Sequence, residues 1–156
     1  SKLFELGIEK LVFQNSFYNN PDLIKKLVHR FGSQSIVISI DIKKNWLNQN
    51  KPYCYLKKRN FFTKNLNNII QNVSDLGAGE IFLQVVHLEG TKQGIDLSIF
   101  DSNLKKCNLP IVISGGVSSM DDFYDYLKGG ADAVAAGAFF VFKGPKDAVV
   151  ISYPKF

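Results

Sequence analysis

The sequence predicts an α/β fold in which helices cover a parallel β-sheet. Stretches with helical periodicity alternate with short β-branched runs, and these runs are apolar at almost every position, as expected for strands buried on both faces. The 156 residues are 46% hydrophobic and 21% charged, which is typical of a globular domain with a core. The longest apolar run, residues 133–142, is far shorter than the roughly 20 residues that cross a bilayer.

Five strands are expected, each a short run rich in β-branched or small apolar residues. They are predicted at residues 10–14, 35–40, 80–86, 110–114 and 133–137. The segment Ser1–Gly7 before them resembles the last turn of a helix that ends at its glycine, so we expect the chain to begin inside the fold.

Four helices alternate with these strands. Asn20 and Pro21 provide a cap and a first-turn proline, and the apolar stripe that follows stops at Gly32. The last helix is capped by Ser118 or Ser119. The helices are predicted at about residues 20–32, 66–77, 97–107 and 118–130, the third having the weakest pattern.

The organisation along the chain indicates one domain, residues 1–156. The gap between the second strand and the second helix holds aromatic and polar residues and predicts a hairpin insertion at about 44–60. A faint internal repeat relates Gly7–Asn15 to Gly130–Ala138, four strands apart. That separation fits an eight-stranded barrel built from two similar halves.

The net charge of +5 comes almost entirely from lysine, because Arg30 and Arg59 are the only arginines. Nucleic-acid sites use arginine forks and a concentrated basic patch, whereas these lysines are scattered along the sequence. We therefore expect an anionic small molecule as ligand, and neither nucleic acid nor a membrane as partner.

The cysteines and histidines indicate no metal site, no cofactor and no disulfide framework. Cys54 and Cys107 lie far apart in the sequence without neighbouring ligands, and His29 and His87 are expected to be structural or surface residues. Without a signal peptide in the printed sequence, the expected compartment is a reducing cytoplasm.

The working residues of parallel α/β folds lie where the strands end, an edge called here the mouth; the opposite edge is the floor. Asp41 follows a buried strand at the mouth, where partial shielding from water can give a carboxyl group a pKa suited to acid–base work. A structural role, as a cap or as an ion-pair partner of Lys43, is an equal alternative.

Two glycine-containing turns are candidates for phosphate binding. Gly115 and Gly116 let backbone N–H groups approach a ligand, just before a helix whose N-terminus suits an anion. Gly137 and Ala138 end the next strand, and a phosphate site shared by the last two strands recurs in barrels. A tight turn that requires glycine is the alternative in each case.

Glu89, Gly90 and Thr91 follow the third strand and offer an acid and a hydroxyl. They could hold substrate hydroxyls or orient a phosphate, and a simple turn is the alternative.

Lys10 and Glu80 open their strands and therefore belong to the floor. On a closed sheet they could pair across it, and a purely structural ion pair is the plain explanation.

Five motifs in order along the chain carry a family resemblance. They are Gly32–Lys43, Gly77–Ile81, Glu89–Gly94, Ser114–Gly116 with Met120, and Gly130–Ala133. Together they resemble the cyclase subunit of imidazole glycerol phosphate synthase, a (β/α)8 TIM barrel of the histidine pathway. The resemblance covers essentially the whole chain and places it on strands four to eight, the C-terminal part of the barrel, so the 156-residue chain alone is expected to be inactive.

The resemblance implies a function and a partner. In that family a glutaminase subunit releases ammonia at the barrel floor, and the ammonia crosses the barrel to the mouth. There it cleaves and cyclises a bis-phosphorylated ribulosyl intermediate to imidazole glycerol phosphate and an aminoimidazole carboxamide ribotide. Two aspartates act as acid and base, and Asp41 matches the second. Lys10 and Glu80 match members of the charged gate at the floor.

The resemblance also implies how the substrate is held. One phosphate anchor of the family is matched by Gly115, Gly116, Gly137 and Ala138. Gln14 and Asn15 fall where the other anchor has an Asn-Thr pair, which is a departure.

Two further departures favour an alternative function. Glu89 replaces the second aspartate of the family's Asp-Arg-Asp-Gly-Thr motif, His87 and Leu88 replace its first two residues, and residues 142–154 replace a long final helix. This ending resembles a paralogous branch that works with a glutaminase and a sugar amidotransferase to add an acetamidino group to surface polysaccharide. In that branch the barrel could serve as an ammonia conduit without cyclase activity, and Asp41 need not be catalytic.

Overall fold

The computed structural model describes residues 2–45, 47, 49–54, 59–60, 66–100, 104, 107–143 and 148–149. The strands are β1 (Leu11–Phe13), β2 (Ile36–Lys44), β3 (Asn50–Cys54), β4 (Arg59–Asn60), β5 (Glu80–Val85), β6 (Ile111–Ser114), β7 (Ala133–Ala135), and a separate antiparallel pair, β8 (Phe142–Lys143) and β9 (Ala148–Val149). The helices are α1 (Lys2–Glu5), α2 (Ser16–Asn19), α3 (Pro21–Phe31), α4 (Leu66–Asp75), α5 (Met120–Gly129) and α6 (Ala138–Val141).

Five parallel strands form the centre of the sheet, in the spatial order β1, β2, β5, β6, β7. This order follows the chain without a reversal, as in a (β/α) barrel; a doubly wound sheet reverses its order at a switch point. The predicted α/β fold with a parallel sheet is therefore confirmed, and its winding is that of part of a (β/α)8 barrel.

Strand β2 is longer than expected. Asp41 was expected to follow the end of this strand, but β2 continues to Lys44 because its second half pairs antiparallel with β3, with Asp41 opposite Tyr53. Strands β3 and β4 are themselves antiparallel, within the range predicted for the hairpin. Residues 46, 48 and 55–58 of that range lie outside the described residues.

The helix boundaries follow the predicted caps. The side chain of Asn20 accepts a hydrogen bond from the Leu23 N–H at the start of α3, and Gly32 ends that helix with φ 85°. Ser119 caps α5 in a capping box with Asp122. These local signals account for where the helices begin and end.

The helix predicted at 97–107 is wrong at its start. The structure has a 3-10 turn at Leu97–Ile99, and Phe100 leaves helical geometry with φ −83° and ψ 67°. The turn is closed locally because the Asp96 carboxylate accepts hydrogen bonds from both the N–H and the hydroxyl of Ser98. Residues 101–103 and 105–106 lie outside the described part of the chain.

The two faces of the sheet differ in chemistry. Ile38, Ile40 and Ile42 share the face of β2 that packs into the core with α3 and α4. Ser39 and Asp41 share the opposite face, called here the inner face. The core therefore lies between sheet and helices, and the polar residues are left to the inner face.

Candidate active site

Asp41 is the acid on the inner face near the mouth, and it is only 3% exposed. Its Oδ2 accepts a hydrogen bond of 2.7 Å from Nε2 of Gln14, while Oδ1 is buried without a partner. Burial raises the pKa of Asp41 above its ordinary value, and the Gln14 hydrogen bond opposes that rise. The group thus has a free acceptor oxygen and holds a proton more readily than an exposed aspartate, as acid–base catalysis requires.

Gln84 is a site residue that the sequence analysis missed. The strand registers place Asp41 beside Gln84, Gln84 beside Ser114, and Ser114 beside Ala135. Register neighbours in a parallel sheet point to the same face, so these four residues form one row across the mouth. The available signal was a polar residue in the apolar run that follows Glu80, one position before the end of β5.

The predicted glycine turns come together in one small cavity, called here the anchor pocket. It is lined by Glu89, Gly90, Lys92, Gly115, Gly116, Val117, Ala136, Gly137, Ala138 and Phe139. All four residues predicted for this anchor line it, as do two of the three from the loop after β5. The pocket lies at the ends of β6 and β7, where barrels commonly hold phosphate.

The tight-turn explanation accounts for two of these glycines and fails for the third. Gly115 and Gly116 have φ 117° and 86°, and a Cβ on them would lie 2.7 Å from the Val85 carbonyl oxygen and 2.0 Å from that of Gly94. Gly137 has φ −101°, and a Cβ there would meet nothing within 4 Å. The backbone therefore does not require glycine at position 137.

The N-terminus of α5 is partly occupied by a carboxylate of its own helix. The Asp122 carboxylate already accepts hydrogen bonds from the N–H groups of Ser118 and Ser119 and from the Ser118 hydroxyl. Although burial alone would raise the pKa of Asp122, these bonds hold it below its ordinary value. Because an internal carboxylate occupies part of the helix end, the predicted anion site depends more on the glycine turns.

Glu89 and Thr91, in the loop after β5, have different contacts. Glu89 lines the anchor pocket, and its Oε2 accepts a 3.3 Å hydrogen bond from the Ser114 hydroxyl. The Thr91 hydroxyl instead donates to the Leu88 carbonyl and accepts from the Gln93 N–H. Thr91 therefore shapes the turn, and it is absent from the described lining of the pocket.

Gln14 is not in the described lining of the anchor pocket, and its side chain is hydrogen-bonded to Asp41. Its amide donates to the carboxylate, so it does not act as a free phosphate donor in this structure. Asn15 precedes α2 at the N-cap position without a side-chain cap hydrogen bond. A second anchor at these two residues stays a prediction.

Lys10 and Glu80 meet at the floor. Their Nζ and Oε2 atoms are 2.5 Å apart, with side chains 51% and 20% exposed. Glu80 is in register with Val37, four residues before Asp41 on β2, so the ion pair and the acid are separated by about 13 Å along the strand. The two charged groups therefore occupy opposite ends of the inner face.

His87 is the other residue with an unpartnered buried atom. Among the side-chain nitrogen and oxygen atoms of the described residues, only Asp41 Oδ1 and His87 Nδ1 are buried without a hydrogen-bond partner. Burial lowers the pKa of His87, and the charge of Lys44 adds to the effect. Lys44 in turn forms a 3.1 Å ion pair with Asp96, which ties the end of β2 to the loop before β6.

The described residues give no sign of a metal centre or a membrane span. No group of three or more His, Cys, Asp or Glu side chains in that part of the chain could hold a metal ion. No helix there is long and apolar enough to cross a membrane. Cys107 is half-buried and unpaired with another cysteine.

Comparison with known proteins identifies the family. A family model described as histidine biosynthesis protein matches residues 1–145. The chain belongs to the histidine biosynthesis protein family. The imidazole glycerol phosphate synthase subunit HisF of Helicobacter hepaticus is 37% identical over 144 residues, which cover 92% of this chain and 56% of the relative.

Two other relatives show the breadth of the HisF group. HisF of Dictyoglomus thermophilum is 35% identical over 142 residues, 90% of this chain and 56% of the relative. A Pseudomonas aeruginosa protein named hisF2 is 33% identical over 154 residues, 98% of this chain and 61% of the relative. The chain thus spans about three-fifths of the length of these relatives.

Proposed function

We propose that the protein carrying this chain is the cyclase subunit of a glutamine-dependent imidazole glycerol phosphate synthase. It converts a bis-phosphorylated ribulosyl aminoimidazole carboxamide intermediate to imidazole glycerol phosphate in histidine biosynthesis. The observation that carries the proposal is the pairing of a buried acid, Asp41, with the anchor pocket at the same edge of the sheet. A phosphate held in the pocket would fix the substrate beside the acid.

Asp41 performs the proton transfer in this proposal. The Oδ1 atom of Asp41 accepts no hydrogen bond from the protein and is therefore available to the substrate. The raised pKa of Asp41 favours a role as general acid, and the carboxylate left after proton transfer can act as a base. Gln14 holds the other oxygen and so fixes the orientation of the carboxyl group. Glu89 lines the pocket beside the substrate phosphate, where its carboxylate can accept a hydroxyl hydrogen bond.

Ammonia from a glutaminase subunit enters at the floor in this proposal. The Lys10–Glu80 pair marks the entrance, and the inner face between it and Asp41 carries Ser39 and Phe82. The exposed ion pair can open at small cost because solvent screens it. The partners are thus a glutaminase and a phosphorylated small molecule, and the expected compartment is the cytoplasm.

The test is product formation by the protein at its full encoded length. Imidazole glycerol phosphate should form from the ribulosyl intermediate and ammonium, and Asp41→Asn should abolish it, because the amide cannot transfer the proton. A conservative control is Asp125→Asn, which removes one exposed carboxylate from α5. Turnover of the unmodified protein no greater than that of Asp41→Asn would refute the proposal.

A second function is an ammonia conduit without cyclase activity, in acetamidino modification of surface polysaccharide with a sugar amidotransferase as further partner. The altered loop motif at His87 and Glu89 favours this function. The Gln14–Asp41 hydrogen bond also favours it, because the Gln14 amide then donates to the protein and not to a substrate phosphate. This function predicts glutaminase binding without cyclase turnover. Growth of a histidine auxotroph restored by the full-length gene would exclude it.

A further inference from the structure

Lys92 has an unusual backbone conformation. It is the one non-glycine residue with positive φ, 51°, in the described part of the chain. The Cβ of an L-residue makes this conformation unfavourable, and asparagine or glycine would tolerate it better. The backbone at Lys92 is therefore held in an unfavourable conformation by the contacts of its loop.

The loop around Lys92 is fixed on both sides. The Thr91 hydroxyl bonds to the Leu88 carbonyl, and the Gly94 N–H donates to the Gly116 carbonyl at 3.0 Å. The second contact joins the loop to the glycine turn of the anchor pocket. The strained residue is thus held against the pocket, where it is half-buried and forms part of the lining.

The described lining of the pocket carries one charge of each sign. Of the described lining residues, Glu89 is the only anion and Lys92 the only cation, and the others are glycines or apolar residues. The helix dipole of α5 is already used by Asp122. Without the lysine, a phosphate would meet backbone donors and one repelling carboxylate.

We propose that Lys92 is the residue that makes the anchor pocket select a phosphate group over a neutral substituent. The proposal rests on the phosphorylated substrate of the proposed function and adds to it the group that recognises the phosphate charge. Lys92 acts by direct contact with the anion, and its backbone conformation keeps the residue in the pocket lining.

The experiment measures binding of ribose 5-phosphate and of ribose by calorimetry, using the protein at its full encoded length. Lys92→Asn removes the charge and suits positive φ, so its melting temperature should not fall. Lys92→Arg keeps the charge. Lys26→Gln, on the exposed side of α3, is the matched loss of one positive charge elsewhere.

The expected result is a loss of ribose 5-phosphate affinity of about tenfold or more in Lys92→Asn, with affinity retained in Lys92→Arg and Lys26→Gln. Ribose binding should be equal in all four proteins. An unchanged preference for the phosphate in Lys92→Asn would overturn the proposal, as would an equal loss in Lys26→Gln. Cyclase turnover is measured separately. If the phosphate preference depends on Lys92 but no cyclase turnover is found, only the proposed function is refuted.

Discussion

Two glycines of the anchor pocket, Gly116 and Gly137, give opposite predictions for substitution by alanine. Gly116→Ala forces a residue with φ 86° into a left-handed conformation and places its Cβ 2.0 Å from the Gly94 carbonyl oxygen. The left-handed conformation costs about 1–2 kcal/mol and overpacking about 1–3 kcal/mol. Gly116→Ala should therefore destabilise the fold by about 2–5 kcal/mol.

Gly137→Ala should not destabilise the protein. Its φ of −101° and ψ of −64° suit alanine, and the added Cβ meets nothing within 4 Å. Restricting the unfolded chain then stabilises the fold by about 0.4–1 kcal/mol. The same methyl group stands at the edge of the anchor pocket, so affinity for ribose 5-phosphate should fall while stability holds.

Urea unfolding followed by circular dichroism gives both free energies, and calorimetry gives the affinities. The two variants differ only in which pocket glycine receives a methyl group, so each is a control for the other. If Gly137→Ala loses as much stability as Gly116→Ala, position 137 is a structural turn glycine. If it binds ribose 5-phosphate as well as the unmodified protein, the pocket does not hold the phosphate.

Three further predictions concern the charged groups. Gln14→Leu should raise the pKa of Asp41 by removing the hydrogen bond that stabilises its carboxylate, and an NMR titration of the carboxyl carbon that shows no rise contradicts this. Because burial raises the folded pKa of Asp41, its contribution to stability is complete below its ordinary value of 3.8 and is lost as the pH rises through the folded value. The free energy of unfolding of Asp41→Asn should thus increase relative to that of the unmodified protein as the pH rises from acid to neutral. A relative decrease in urea unfolding over this range would contradict a destabilising buried charge at Asp41. Lys10→Met should change stability by less than about 1 kcal/mol, since half of the Lys10 side chain is exposed and solvent screens its charge, and a larger, salt-independent loss would mean that the pair is structural.

The sequence predicted the elements whose signals are local. The cap at Asn20, the glycine end at Gly32 and the capping serine at 119 all stand where the structure has them. The parallel sheet followed from the alternation of apolar strands and helices, whereas its barrel order was implied by the family resemblance. Such features depend on neighbouring residues, which a single sequence displays.

The rest depended on contacts between distant residues. The extension of β2 to Lys44 results from pairing with β3, and the Gln14–Asp41 hydrogen bond joins two strands. The occupation of the α5 N-terminus by Asp122 is an exception, because the capping-box spacing of Ser119 and Asp122 is a local signal for it. Lys92 was missed because positive φ at a lysine has no sequence signal.

The most direct test is the conversion of the ribulosyl intermediate by the full-length protein with ammonium, compared with Asp41→Asn. The proposed function predicts imidazole glycerol phosphate from the unmodified protein and a loss of about a hundredfold or more in the variant, since one general acid–base group contributes roughly that much. Equal rates in both proteins, or no product from either, would contradict the assignment of Asp41 as the catalytic acid of a cyclase.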